Sequence, residues 1–599
     1  MIKKPLHNFH IPVMGLAYTI DSPVRVAQYG ISSVVSIIDD EIIEKMKNFY
    51  SNRFNLNYAS ISTRVEDYRA KRITAYLNML DDIVTEKFEA FKEELSKNRM
   101  ALANFADMLP NTSELKAGLE HFMTQKEGIA SAIKNFIEKH LSPGNIDVNI
   151  MTKVDKDNFK NKQQLPVTYN DAHASLRGFA NSKLSSSVVL SAGMNPRLYS
   201  YIEEFEDFYS DEKGSIKKKI ILKVSDFRSA MIQGNFLAKK GLWVSEYRIE
   251  SGLNCGGHAF ATEGLLLGPI LEEFKNKKHE LLESSHILMN KALEQKEKLP
   301  VVQPLELKIT VQGGVGTAEE HEFLLNTYNI DSIGWGSPFL LVPEATSVDH
   351  ETRKLLSESK EKDFYISNLS PLGVPFNTVR DSSNEIIRRQ KQSRGRYGSS
   401  CPKKLLALSK EYSPEGICTA SKKYQELKLQ ELESQKYEFS SEIYRRKRHN
   451  ITEKACLCVG LVNSAYLENG IEIKGEQQGV VICPGPNLAY FDKEVSLLEM
   501  VKHIYGRSNV ISHKNRPNIF VNEMKMYIDY LKKEIEEFSG NITAGQIKKW
   551  KNFKENLLQG IEYYENLLKK TDFFKTDLNI KCLLQYNKSI LSGIVIPEN

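Results

Sequence analysis

At 599 residues, 41% of them hydrophobic and 26% charged, the chain can bury one large core with further structure beside it. A formal net charge of +5 is too small at this length to argue for nucleic acid by itself, and no apolar run is long enough to cross a bilayer. The start, Met1-Ile2-Lys3-Lys4-Pro5-Leu6-His7, lacks the apolar core of a secretion signal, so the expectation is a cytoplasmic protein without membrane contact.

In chain order, Ile11 to Ala17 reads as a first strand, Asp21-Ser22-Pro23 as a helix start, and Ser33 to Ile38 as a second strand. Residues 41–144 form a helical insertion, with Ile73, Tyr76, Leu77, Leu80, Ile83 and Val84 at helical spacing. Such an insertion either shapes the mouth of a site or serves as a packing or oligomer surface. Val148 to Met151, Ser187 to Leu190, Lys219 to Val224 and Val244 to Ile249 are the third to sixth strands. Leu307 to Gln312 and Ile330 to Ile333 complete eight. Helix-compatible stretches separate most of them, which predicts an α/β chain built on a (β/α)8 TIM barrel over residues 1–40 and 145–375.

Three glycine-rich turns follow the last strands. Glu250-Ser251-Gly252-Leu253-Asn254-Cys255-Gly256-Gly257-His258 places a histidine after paired glycines, where the backbone can approach a flat ring and an imidazole can exchange a proton near neutral pH. Gly313-Gly314-Val315-Gly316 ends the seventh strand and enters a helix, a junction whose amides suit a phosphate. Gly334-Trp335-Gly336-Ser337 repeats the pattern after the eighth. A barrel of this type makes its phosphate site after strands seven and eight.

With Pro12-Val13-Met14-Gly15 at strand one, these motifs make residues 5 to 350 resemble the FMN-dependent nitronate monooxygenases, formerly 2-nitropropane dioxygenases, a family that includes enoyl thioester reductases. The resemblance implies a flavin barrel. Val13, Met14, Gly15 and Leu16 would lie along the isoalloxazine, and Gly256 and Gly257 would let His258 over the ring. Gly313, Gly314, Val315, Gly316, Gly334, Trp335, Gly336 and Ser337 would hold the FMN phosphate, and Lys153 would face the pyrimidine side of the flavin. Where family members carry Glu-Ala-Gly-Gly-His, this chain has Asn254 and Cys255 before the glycines, so the catalytic set is His258 with Asn254 and Cys255, and the substrate differs accordingly. Cys255 is either a substrate-facing acid or a small apolar filler.

The first 254 residues contain no cysteine, whereas Cys401, Cys418, Cys456, Cys458 and Cys483 crowd into a region, residues 376–510, rich in Pro and Gly turns. In a reducing compartment such clustering favours metal ligation. An iron-sulfur cluster on Cys401, Cys418, Cys456 and Cys483, with Cys458 as the alternate, is the first reading, and structural zinc or free thiols are the others. Arg388, Arg389, Lys391, Arg394 and Arg396, and then Arg445, Arg446, Lys447 and Arg448, form basic runs that suit RNA, coenzyme A or a carrier protein, or are simply solvated. Residues 511–599 read as a C-terminal helical region, with helices from Val521 to Phe538 and Thr543 to Leu568, for packing or an oligomer contact.

The combined expectation is an FMN-dependent oxidoreductase acting on a small-molecule or thioester substrate. It reduces an activated double bond with His258 as proton donor or acceptor, and draws electrons from NAD(P)H or a donor protein through the cluster. A flavoenzyme reducing pyrimidines in RNA and a zinc-stabilised, non-catalytic binding barrel are the alternatives.

Overall fold

The eight apolar runs are all strands in the computed structural model, which describes residues 5–125, 130–191, 193–255, 262–473, 479–513, 516–538, 542–571 and 580–597. They are β1 (Phe9–Ile11), β2 (Ser32–Ser36), β3 (Ile146–Ile150), β4 (Ser187–Leu190), β5 (Lys219–Val224), β6 (Val244–Glu250), β7 (Lys308–Gln312) and β8 (Ser332–Gly334). Each pairs in parallel with its neighbour in sequence, and β8 closes on β1, giving the expected (β/α)8 barrel.

Only β1 is displaced from its expected span. It stops at Ile11 because Pro12 has no N–H for the ladder and Gly15 turns at φ 57°, so residues 12–17 are a loop over the barrel mouth.

Alternation on the strands sorts the side chains. Tyr247 faces outward beneath the helix Phe227–Ala238, where a Cβ on Gly234 would strike its hydroxyl, so Glu246, Arg248 and Glu250 face the lumen. Around β6 to β8 and β1 that lumen is polar. The Arg248 guanidinium donates to Glu246 at 2.8 Å, Thr310 donates to the same carboxylate at 2.5 Å, and His10 meets Ser332 at 3.1 Å. Burial pushes Asp147 up to about 6 and holds His10 well below its ordinary value.

The insertion packs on the flank of the barrel. Its long helix, Tyr68–Lys97, lies against Asp40–Arg53 and against the barrel helix Asp171–Ala180. Ile73, Tyr76, Leu77, Leu80 and Ile83 are buried, and the Tyr76 hydroxyl donates to the carbonyl of Ile20 at 2.9 Å. Its far end gathers Phe88, Phe91, Leu102, Phe105 and Leu119 into a second small core. Among the described residues the C-terminal half shares the core of the barrel: Leu457, Val481 and Leu531 belong to the same buried cluster as Ile11, Val35 and Ile150. Three helices end the chain, Ile519–Glu536, Ala544–Leu567 and Ile580–Ser592; the last was not anticipated.

A Cβ on Gly178 would lie 2.7 Å from Ile73 Cβ and 2.9 Å from the Ala70 carbonyl. Gly178→Ala is therefore expected to lose about 1–3 kcal/mol through overpacking, read as a lower denaturant midpoint. An unchanged midpoint would mean that the insertion does not bear on the barrel.

Candidate functional site

Polar side chains converge where the C-terminal ends of β5, β6 and β7 meet. Lys223, the penultimate residue of β5, bonds Glu250 at the end of β6 at 3.1 Å. Gln312, at the end of β7, donates to the same oxygen of Glu250 at 2.8 Å, and Asn254 donates to it at 2.6 Å. Gln312 also donates to Asn254 at 3.3 Å. The sequence reading selected Asn254 but passed over Lys223, Glu250 and Gln312. Their one signal was position, a polar residue at or next to the end of an apolar strand, which is where barrels of this type place functional groups.

Three polar atoms near this end of the lumen have no hydrogen-bond partner among the described residues. They are Gln312 Oε1, Asn149 Oδ1 on β3 and Ser36 Oγ on β2. All three residues face inward, since Asn149 alternates with the lumen residue Asp147 and Ser36 with Val34. Buried polar atoms are costly to leave unpaired, and a set of them on one rim marks where a polar ligand would be received.

Beside them is a glycine-walled recess. Gly313, Gly314 and Val315 line it after β7, Gly334, Gly336 and Ser337 after β8, and Asn254 and Cys255 after β6. Gly313 and Gly314 turn at φ 106° and 87°, and a Cβ on Gly313 would come within 2.9 Å of the Asn254 backbone, so this loop can be made only of glycine. Gly316 is held differently. Its N–H donates to Glu320 at 2.8 Å, and Glu320 is paired with buried Arg516 at 2.7 Å. Arg516 also donates to the Gly314 carbonyl at 2.8 Å and to Asn487 at 3.0 Å. An anion entering the recess would therefore meet Gly313 to Val315 and the Gly336-Ser337 turn, while the amide of Gly316 is engaged by the protein's own carboxylate.

Trp335 is wholly buried with its indole donating to His321 at 3.1 Å, which makes it a packing residue behind the recess. Val13 packs with Val34, Val189 and Ile221 as a plug between strands. Met14 is buried, and its sulfur lies 3.8 Å from where a Gly336 Cβ would stand. Gly15 and Leu16 border a second, apolar recess with Met151, Leu461, Cys458 and Cys483. Lys153 is exposed and lies along Gly193 in the next loop. Gly256, Gly257 and His258 lie outside the described residues.

The described residues before and after this stretch, Ser251, Gly252 and Leu267, are all bonded by one side chain. Glu523, buried on Ile519–Glu536, accepts from Ser251 Oγ at 2.8 Å and from Gly252 N at 3.3 Å through one oxygen, and from Leu267 N at 2.7 Å through the other. The sequence suggests only packing or an oligomer contact for this helix. Cys255 is buried too, its thiol donating to the Cys483 carbonyl at 3.2 Å. Burial raises that thiol well above its ordinary value, so it stays protonated at neutral pH.

Four of the other six cysteines form two close thiol pairs. Cys401 is hydrogen-bonded to Cys418, and Cys456 to Cys458. Cys483, which the sequence reading grouped with three of them, lies instead at the Cys255 side of the apolar recess. Among the described residues, no three His, Cys, Asp or Glu side chains are arranged to hold a single metal ion.

No protein-family model matches the chain, and none of the curated proteins matches it. Among solved structures, it aligns with the enoyl reductase domain of MlnA from the macrolactin biosynthesis cluster of Bacillus amyloliquefaciens at 14% identity, over 73% of this chain and 87% of that one, with a TM-score of 0.31. A likeness this loose says nothing about chemistry.

The Glu523 clamp has a pH signature. Burial lifts its carboxyl from 4.5 to about 7, so between those values the folded chain retains a proton that the unfolded chain has released. Stability therefore falls as pH rises through that window, by up to about 3 kcal/mol, and is level above it. Glu523→Gln should flatten this decline when denaturant midpoints are compared at about pH 5 and about pH 8. An unaltered slope would assign the decline to other groups.

Proposed function

We propose that the chain is an FMN-dependent oxidoreductase that reduces an activated carbon–carbon double bond in a small-molecule or thioester substrate. The observation that carries this reading is the rim of unpaired buried atoms, Gln312 Oε1, Asn149 Oδ1 and Ser36 Oγ, adjoining a glycine-walled recess. A heterocycle with alternating donors and acceptors suits the rim, and a phosphate suits the glycine turns. The phosphate set is adjusted from the sequence expectation: Gly313, Gly314, Val315, Gly336 and Ser337 would take the phosphate, and Gly316 serves the Glu320–Arg516 pair.

Bound FMN supplies hydride transfer at its N5. The chain's own residues do the rest. Lys223, held by Glu250 at 3.1 Å, is better placed than exposed Lys153 to put positive charge at the mouth. Asn254 and Gln312 fix the orientation of Glu250 and present amide groups to the ring edge. His258, in the segment clamped by Glu523, is the proton donor, whereas the raised thiol of Cys255 fills space beside the glycines. Electrons come from NAD(P)H or a donor protein.

Purified chain should release about one FMN on denaturation, as a single barrel mouth requires. Lys223→Met is expected to weaken flavin retention. His258→Ala should keep the flavin and lose about 10²- to 10⁴-fold in turnover of an enoyl thioester, the usual worth of a positioned acid. A colourless protein that takes up no added FMN overturns the reading, and unchanged turnover removes His258 from it.

A further inference from the structure

We propose that Cys401, Cys418, Cys456 and Cys458 ligate one four-iron, four-sulfur cluster at the edge of the barrel mouth. This goes beyond the flavin reading and does not depend on it.

Three separate backbone constraints bring the thiols together. Ser399 N donates to Ala420 O at 3.0 Å and Lys422 N to Ser399 O at 3.0 Å, which lays the Cys401 turn beside Cys418. Thr419 Oγ1 donates to Pro371 O at 3.0 Å while Ala455 N donates to Leu369 O at 3.1 Å, so both cysteine segments hang from the same short stretch. Gln425, fully buried, then donates to Lys454 O at 3.1 Å and ties the helix after Cys418 to the turn before Cys456. The thiol–thiol contacts within Cys401–Cys418 and Cys456–Cys458 follow, and each pair lies within electrostatic reach of the other.

The surroundings are those of a thiolate-bound inorganic cluster. Backbone N–H groups of Lys404, Ala420 and Val459 point at the sulfurs of Cys401, Cys418 and Cys456. Amides in that role stabilise anionic sulfur. Cys456 is the N-cap of the helix Leu457–Glu468 and Cys458 lies in its first turn, where the helix dipole adds to the same effect. Lys156, Lys403 and Lys404 supply positive charge nearby. Lys403 is buried and itself fixed by Asp39 at 2.5 Å.

Zinc would draw all four sulfurs to about 2.3 Å from one point. A cubane offers one iron to each cysteine at four separate corners, so its sulfurs stand further apart, as two linked pairs can. Cys483 is outside the set because it lies beside Cys255 and Tyr18. Cys458 borders the recess that Gly15 and Leu16 line, so the cluster would stand next to the proposed flavin.

The test is iron, acid-labile sulfide, zinc and flavin measured on one sample of full-length chain purified without oxygen. The expected result is about four irons and four sulfides per chain, with a broad visible absorbance bleached by dithionite. Cys418→Ala and Cys458→Ala should each lose more than half of the iron, and Cys483→Ala and Cys582→Ala should retain it. Zinc without sulfide, a wild-type chain that holds no iron even after incubation with ferrous iron and sulfide, full iron in a soluble Cys458→Ala chain, or iron loss in Cys483→Ala would each overturn the assignment. Should the first two variants fail to fold, wild-type stoichiometry and Cys483→Ala still decide it. Flavin content is read separately, so loss of one centre is distinguishable from loss of the other.

Discussion

The buried pair between Arg516 and Glu320 is the contact on which the architecture of the mouth depends. An isolated buried ion pair often repays little more than its desolvation. Here every polar atom of both side chains is hydrogen-bonded. Arg516 reaches Glu320, the Gly314 carbonyl and Asn487, and Glu320 also accepts from the amides of Gly316 and Ile519. Asn487 returns a bond to Val315 at 2.9 Å. The glycine turn after β7, with two residues at positive φ, is thus held in shape by residues nearly two hundred positions later in the chain. The C-terminal helices are a wall of the barrel site and not an appended module, which is why barrel and C-terminal side chains share one hydrophobic cluster.

Glu523 extends the same logic to the turn after β6. One carboxylate joins Ser251 to Leu267 from the helix Ile519–Glu536, four residues beyond Ile519, whose amide donates to Glu320. Burial makes the clamp costly to ionise, yet three donors aimed at two oxygens make it costly to lose. The helix therefore serves two turns at once: its N-terminal residue accepts responsibility for β7's loop and its first buried carboxylate for β6's.

The barrel was legible in the sequence because buried parallel strands are apolar runs bounded by polar breaks, and all eight runs became strands. The one displaced strand, β1, failed where apolar pattern and backbone chemistry disagreed: Pro12 cannot join a ladder however apolar its neighbours. Glycine turns announced the recess, because few other uses explain three of them after consecutive strands. Lys223, Glu250 and Gln312 offered no signal beyond position. Each is a single polar residue at the end of a strand, and only the closure of the barrel brings them to one carboxylate. Arg516 and Glu523 were hidden by distance along the chain, and the helix that bears Glu523 looks like any amphipathic packing helix.

The cysteines show how far composition carries a ligand set and where it stops. Crowding of five thiols into one region pointed to metal, but spacing along the chain could not choose among them. The choice comes from two local facts: a cysteine at an N-cap and another two residues later inside the first helical turn can present their sulfurs together, while Pro484 and Gly485 turn the Cys483 segment toward Cys255 and Ser337. Helix start against Pro-Gly turn is therefore what separates Cys458 from Cys483. Both still border the apolar recess, one from the thiol pairs and one from the glycine side.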